Sequence, residues 1–300
     1  MLELEMANDQ YKNYLEQIKG KKPIQGDQFI EGEPIFVVWK FPTTWKELDI
    51  IPISDCHYGN HLFSEHHFIR TIRAIKEKAN TFTILNGDLI ECITKDSLGN
   101  IYQQVGDPQK QRDWMIARLK PIANKILGMT MGNHEARIWK GASGMDVCKD
   151  MADALGIPYR REGLMIRISF GDNCDGHAGR PYIYDIYATH GWGGARTKAA
   201  KAVKVERTGH QIHADVYLMS HDHEVNVAPD NYLMPSNSVK DIGKRWQVGK
   251  FSAHRKILVK TNAYLKWGGY SEMGGYNPAD LETPIIKFKG EGKPKVKVLV

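Results

Sequence analysis

The chain has 300 residues, 41 Lys+Arg against 35 Asp+Glu, 12 His and 4 Cys, for a formal charge of +6. With 42% hydrophobic and 25% charged residues it falls at globular averages, which excludes a wholly disordered or fibrous protein, and the length is ample for a buried core. Cys56, Cys92, Cys148 and Cys174 form no CxxC or CxC pair, which argues against a zinc ribbon or thioredoxin-type site and for reduced, buried thiols.

Residues 1–33 are polar and charged, with a short helix predicted around Asp9–Lys19, and read as an arm ahead of a single domain over 34–300. The first residues lack the basic-then-apolar order of an export signal and no apolar run reaches membrane-spanning length, so a cytoplasmic setting and no membrane partner are expected. Residues 34–41 read as a strand bounded by prolines. Leu48–Ser54 reads as a buried strand delivering Asp55-Cys-His57 at its end. Ser64 caps a predicted helix in which Phe68, Ile69, Ile72 and Ile75 recur at helical spacing up to about Ala79. A second strand, Thr81–Leu85, ends in Asn86-Gly-Asp88. A helix over Pro108–Lys125 then leads to a third strand, Lys125–Met131, ending in Gly132-Asn-His-Glu135. This rhythm predicts an α/β sheet with its chemistry at the strand ends.

The second half is richer in strands. Leu164–Phe170 and Tyr182–Ala188 flank a turn-forming loop and predict a hairpin, with His190 just beyond. Val216–Met219 precedes Ser220-His-Asp-His223, and Lys256–Tyr264 and Pro294–Val300 are predicted late strands. No internal repeat is present.

Five polar clusters therefore follow apolar strands: Asp55-x-His57, Gly87-Asp88, Gly132-Asn-His-Glu135, Thr189-His190-Gly191 and His221-x-His223. One such cluster alone is an ordinary turn or cap. Together they offer two Asp, one Asn and four His besides His134, a mixed oxygen and nitrogen set suited to two divalent metals. In order and composition they resemble the calcineurin-like metallophosphoesterases, with one departure: Ser220 stands where the last motif usually has glycine. That glycine serves the turn and not the metal, so tolerance is expected.

The resemblance implies a four-layer α/β/β/α sandwich with two mixed β-sheets, and hydrolysis of a phosphate ester by a metal-activated hydroxide. It implies Asp55, His57 and His223 on one ion, Asp88 bridging, and Asn133, His190 and His221 on the other. Mn²⁺ is the expected metal; Fe, Zn, Ni, Co and Mg suit the same donors. His134 is implied as the group that contacts the phosphate and protonates the leaving oxygen. Asp222, between the paired histidines, is expected to face solvent or a local turn, with an outward hydrogen bond beside the ligands as the alternative.

After His190 come Trp192 and the basic run Arg196, Lys198, Lys201, Lys204 and Arg207, opposed only by Glu206. Read as a helix, this gives a broad basic face fit to grip DNA or RNA, with Asn133 also toward the substrate and Trp192 stacking on a base; a solvated surface is the plain alternative. The second motif lacks the arginine that the protein phosphatases of the family carry there; Arg137 is the nearest substitute, with an ordinary surface position on the following helix as the equal alternative. These departures favour a phosphodiesterase or nuclease on nucleic acid or nucleotides. The alternatives are a phosphomonoesterase on nucleotides or phosphoproteins, and a metal-retaining nucleic-acid-binding module. The 267–276 Gly-rich loop is a candidate contact or substrate rim.

Overall fold

The structure is a computed structural model that describes residues 36–300 except 96, 98–100, 244, 274, 279 and 280. The expected 1–33 arm lies outside the described residues. Eleven strands are described. The first five are β1 (Phe36–Lys40), β2 (Glu47–Ile50), β3 (Thr81–Asn86), β4 (Ile126–Thr130) and β5 (Gly163–Phe170). They are followed by β6 (Tyr182–Thr189), β7 (Val216–Met219), β8 (Asn226–Lys240), β9 (Val248–Lys260), β10 (Ile285–Lys289) and β11 (Val296–Leu299). The helices that matter here are α1 (Glu65–Glu77), α2 (Pro108–Leu119), α3 (Asn133–Arg137), α4 (Val147–Leu155) and α5 (Lys198–Gln211). None of the described helices is long and apolar enough to cross a membrane.

Two mixed sheets result, one ordered β1-β5-β6-β7-β9-β8 and the other β11-β10-β2-β3-β4. Strand alternation decides which residue faces which layer. Leu48, Ile50, Phe82 and Ile84 point to the other sheet and meet Leu164, Ile166, Ile186 and Val216 in the inter-sheet core. Ile51, Ile53 and Leu85 point the opposite way, into a second core with Phe68, Ile72 and Ile75 of α1, Met115 and Leu119 of α2 and Met151 of α4. On the far side Val205 of α5 packs on Tyr217, Met219 and Leu258. Helices, sheet, sheet and helix thus form the four expected layers. β3 is buried throughout because both of its faces are covered.

The elements differ from expectation in instructive places. The helix predicted to Lys125 ends at Leu119 and tightens into a 3-10 turn over Lys120–Lys125, where Pro121 supplies no amide proton. The predicted late strand begins earlier, at Val248, and pairs with β8, which sequence patterning does not reveal. Pro229 and Pro235 argue against a central strand, and β8 is indeed an edge strand. β5 and β6 form the predicted hairpin, in register from Gly163↔Thr189 to Phe170↔Tyr182.

β2, β3 and β4 run parallel, and so do β6 and β7. Their C-terminal ends therefore lie at one edge of the sandwich, and each of the five polar clusters leaves the sheet there.

Candidate metal centre

The backbone that leaves these strands turns sharply. Asp55, His57, Asp88, His221 and His223 all have positive φ, between 48° and 74°. Non-glycine residues rarely adopt this left-handed region, and such strain concentrates at functional sites. Two glycines allow the loops to touch. A Cβ on Gly132 would stand 2.0 Å from the Asp88 nitrogen, and one on Gly87 would stand 2.6 Å from the Gly132 nitrogen.

Glu135 locks this contact. Its buried carboxylate accepts from Asp88 N (3.0 Å), Leu89 N (2.6 Å), Ile90 N (3.2 Å) and Gly132 N (3.1 Å). Burial and the nearby Asp88 charge push its pKa up to about 7 against the pull of these donors.

The predicted ligands converge in two groups, Asp55 with His57 and His223, and Asp88 with His190 and His221. His223 Nε2 is 3.4 Å from Asp55 Oδ1 and 3.0 Å from His57 Nε2. His190 Nε2 lies 3.2 Å from Asp88 Oδ2 and 3.1 Å from Asn133 Oδ1, and His221 Nδ1 is 2.7 Å from the same Asn133 oxygen. Asp88 Oδ2 also lies 3.9 Å from His57 Nε2, so this carboxylate stands between the groups.

Each ring is aimed by its other nitrogen. His57 Nδ1–H donates to Glu91 Oε2 at 3.1 Å, and His190 Nδ1–H donates to the Asn86 carbonyl at 2.8 Å. His221 Nε2–H donates to the Gly193 carbonyl. These bonds turn Nε2 of His57 and His190, and Nδ1 of His221, towards the buried carboxylates, as metal-binding histidines require. Burial presses the pKa of His57 down, but the hydrogen bond and charge of Glu91, with Asp88 and Asp55, raise it to about 9. For His190 burial is likewise overcome by Asp88, and the pKa reaches about 10. Burial opposes ionisation of Asp88, yet the charge of His190 holds its carboxyl well below the usual range. The buried carboxylates Glu91, Asp88 and Asp55 therefore favour the protonated form of the imidazoles beside them, as they would favour a bound cation. The donor set fits divalent ions: Asp55, His57 and His223 would hold one, Asn133, His190 and His221 another, with Asp88 shared.

His134 is buried beside the ligands, with Nδ1–H donating to the Glu91 carbonyl at 2.8 Å and Nε2 3.9 Å from Asp88 Oδ2. Burial lowers its pKa to about 4 despite the Asp88 charge, so the ring is neutral at pH 7.

The substrate contacts need correction. Lys201 and Lys204, expected on an open basic face, are only 4% and 9% exposed. Lys201 pairs with Glu224 at 2.7 Å and Lys204 with Asp222 at 2.6 Å. Packing of α5 on β7 and β9 draws them inward, where a lysine needs a carboxylate partner. Asp222 does not face solvent; it is buried between Lys204 and Lys260. Arg196 is exposed, with its guanidinium 5.6 Å from the Tyr276 ring. Trp192 is 47% exposed and lines a cleft with Trp139, Asn133 and His190. Trp267 and Tyr276 line the cavity over Asp88 and His134, and Trp267 Nε1 donates to the Tyr276 carbonyl at 2.8 Å. Ser220 replaces the expected glycine without difficulty because its hydroxyl accepts from Asn86 Nδ2 (2.6 Å) and Thr261 Oγ1 (2.8 Å).

Sequence reasoning missed Glu91, Glu135 and Asn86 as orienting residues. All three lie inside or beside the motifs, and a buried-site carboxylate three residues from Asp88 or Gly132 was the available signal.

The packed pair of mixed sheets between helix layers is the α/β/β/α sandwich expected from the sequence, with the five motifs at one edge. No family model matches the sequence, and no curated protein does. Among solved structures the chain is similar to a predicted phosphoesterase of Streptococcus pneumoniae, with 14% identity, 85% of this chain and 90% of that chain covered, and TM-score 0.35. It is similar to a single mutant of Vps29 from Entamoeba histolytica, with 12% identity, coverage of 84% and 98%, and TM-score 0.36. It is also similar to the nuclease MPE of Pseudomonas putida, with 12% identity, coverage of 83% and 87%, and TM-score 0.33.

Proposed function

We propose that this chain is a two-metal phosphoesterase that cleaves phosphodiesters, with nucleic acid or nucleotides as its substrate class and Mn²⁺ as its metal. The observation that carries the reading is the convergence of Asp55, His57 and His223 with Asp88, His190 and His221 on two sides of one shared carboxylate. Divalent ions bound by this set supply Lewis acidity and an activated water at neutral pH.

The protein's own residues do the rest. Glu91 and Asn86 fix the histidine rings, and Glu135 fixes the Asp88 and Asn133 loops, so the donors are held before substrate arrives. His134 is neutral without substrate, with its Nδ1 proton committed to the Glu91 carbonyl. An anionic phosphate raises the affinity of Nε2 for a proton, and that proton is then placed to reach the leaving oxygen. Half-buried Arg137 lines the same cavity and can meet a phosphate oxygen. The missing second-motif arginine favours a diester over a monoester.

The test is hydrolysis of bis(p-nitrophenyl) phosphate with added Mn²⁺ beside p-nitrophenyl phosphate. Faster diester turnover, lost in Asp88→Asn and His221→Ala together with bound metal, is expected. Faster monoester turnover would replace the diester reading with a phosphatase. Failure on both esters across Mn²⁺, Zn²⁺, Fe²⁺, Co²⁺ and Ni²⁺ would overturn the enzyme.

A further inference from the structure

Beside the metal centre lies a second cleft of about 640 Å³, lined by Thr94, Lys95, Ser97, Lys140 and, shared with the metal-site cavity, Asn133 and Arg137. Three of the lining side chains are cationic, and among the described residues none is a carboxylate. This differs from α5, where Lys198 and Lys201 pair with Glu224 and Lys204 with Asp222. Lys95, Arg137 and Lys140 form no ion pair among the described residues; Lys140 only approaches the Trp139 ring, at 5.8 Å. Arg137 also faces the buried Glu91 carboxylate, but among the described residues no carboxylate lines the cleft itself, and concave positive charge focuses potential on an anion. The placement is specific as well. Arg137 and Lys140 stand on α3 and the turn that continues it, so the cleft is fixed by the same segment that presents Asn133 and His134.

We propose that this cleft is a second phosphate subsite, which takes the non-scissile phosphate of a nucleotide chain while the ester to be cleaved lies at the metal centre. The assignment rests on the phosphodiester reading above and narrows it to substrates that carry two phosphates one nucleotide apart. The Thr94 and Ser97 hydroxyls bond to each other at 3.1 Å, which leaves one O–H to donate to a ligand beside the three cations. Charge-assisted contacts of this kind give affinity, and a polynucleotide supplies the second charge where a small diester does not.

The test uses the dinucleotide TpT and its singly phosphorylated forms pTpT and TpTp. Titration calorimetry on the metal-free protein is expected to show pTpT or TpTp binding at least roughly tenfold tighter than TpT, as charge-assisted contacts allow. The Lys95→Gln/Lys140→Gln variant, with its fold checked by circular dichroism, is expected to bring the affinities together. With Mn²⁺ the same preference is expected in KM and not in kcat. Equal affinity of the wild-type protein for all three dinucleotides, or a preference that survives in the variant, overturns the subsite. If bis(p-nitrophenyl) phosphate is not hydrolysed while the binding preference is present, the catalytic reading fails and the subsite stands.

Discussion

Glu91 holds two histidines at once: its carboxylate accepts from His57 Nδ1 at 3.1 Å, and its main-chain carbonyl accepts from His134 Nδ1 at 2.8 Å. One residue thus sets the tautomer of a candidate ligand and of the candidate acid. Glu91→Gln keeps the shape but removes the charge that raises the His57 pKa. Metal affinity is expected to fall by about 10–100-fold, the usual cost of losing such a partner, with the fold retained. Competition with a chromogenic chelator checks it, and unchanged affinity would contradict the role.

Asp222 is the counter-charge for two buried lysines, Lys204 and Lys260. Asp222→Asn leaves both without an anion, and breaking a buried pair costs about 3–5 kcal/mol. Denaturant unfolding should record a loss of that order. The double variant Lys204→Met/Asp222→Asn should recover only part of it, because Lys260 still lacks an anion, whereas Lys204→Met alone keeps the Asp222–Lys260 pair and should lose least.

Metal uptake should release protons. His57 and His190 keep protons to about pH 9 and 10 when no ion is bound, so at pH 7 an ion must displace them. Affinity is expected to rise with pH until those values are passed. Calorimetry in two buffers of different ionisation enthalpy should find about two protons released. The same raised values stabilise the metal-free fold below pH 6.5, and that contribution is lost as pH rises through about 9 and 10.

Gly132→Ala tests the loop contact. Its Cβ would meet Asp88 N at 2.0 Å and Asp88 Oδ1 at 2.1 Å, both held in place by other bonds. Overpacking of this kind costs about 1–3 kcal/mol, here with displacement of a ligand. A lower melting temperature together with weaker metal binding is expected; a variant that binds metal as wild type does would show that the loops can separate.

The strand-end ligands were legible because strands and motifs alternate at close sequence spacing: Asp55 follows β2, Asp88 follows β3 and His221 follows β7. Their partners were less so. Whether Lys204 faces water or Asp222 depends on how α5 seats on β7 and β9, and the pairing joins residues 18 positions apart across a layer. A charge run alone carries no information on that seating. β8 was hidden for a different reason: its prolines fit a strand at the sheet edge, with no described strand beyond it.

Asp55, His57, Asp88 and Asn133 leave the β2–β4 sheet, while His190, His221 and His223 leave the β6–β7 sheet. Any ion held between them spans the seam at the rim where the inter-sheet core stops. An ion bound there would fasten the two sheets at their rim in addition to the apolar core between them, so chelation should lower the melting temperature.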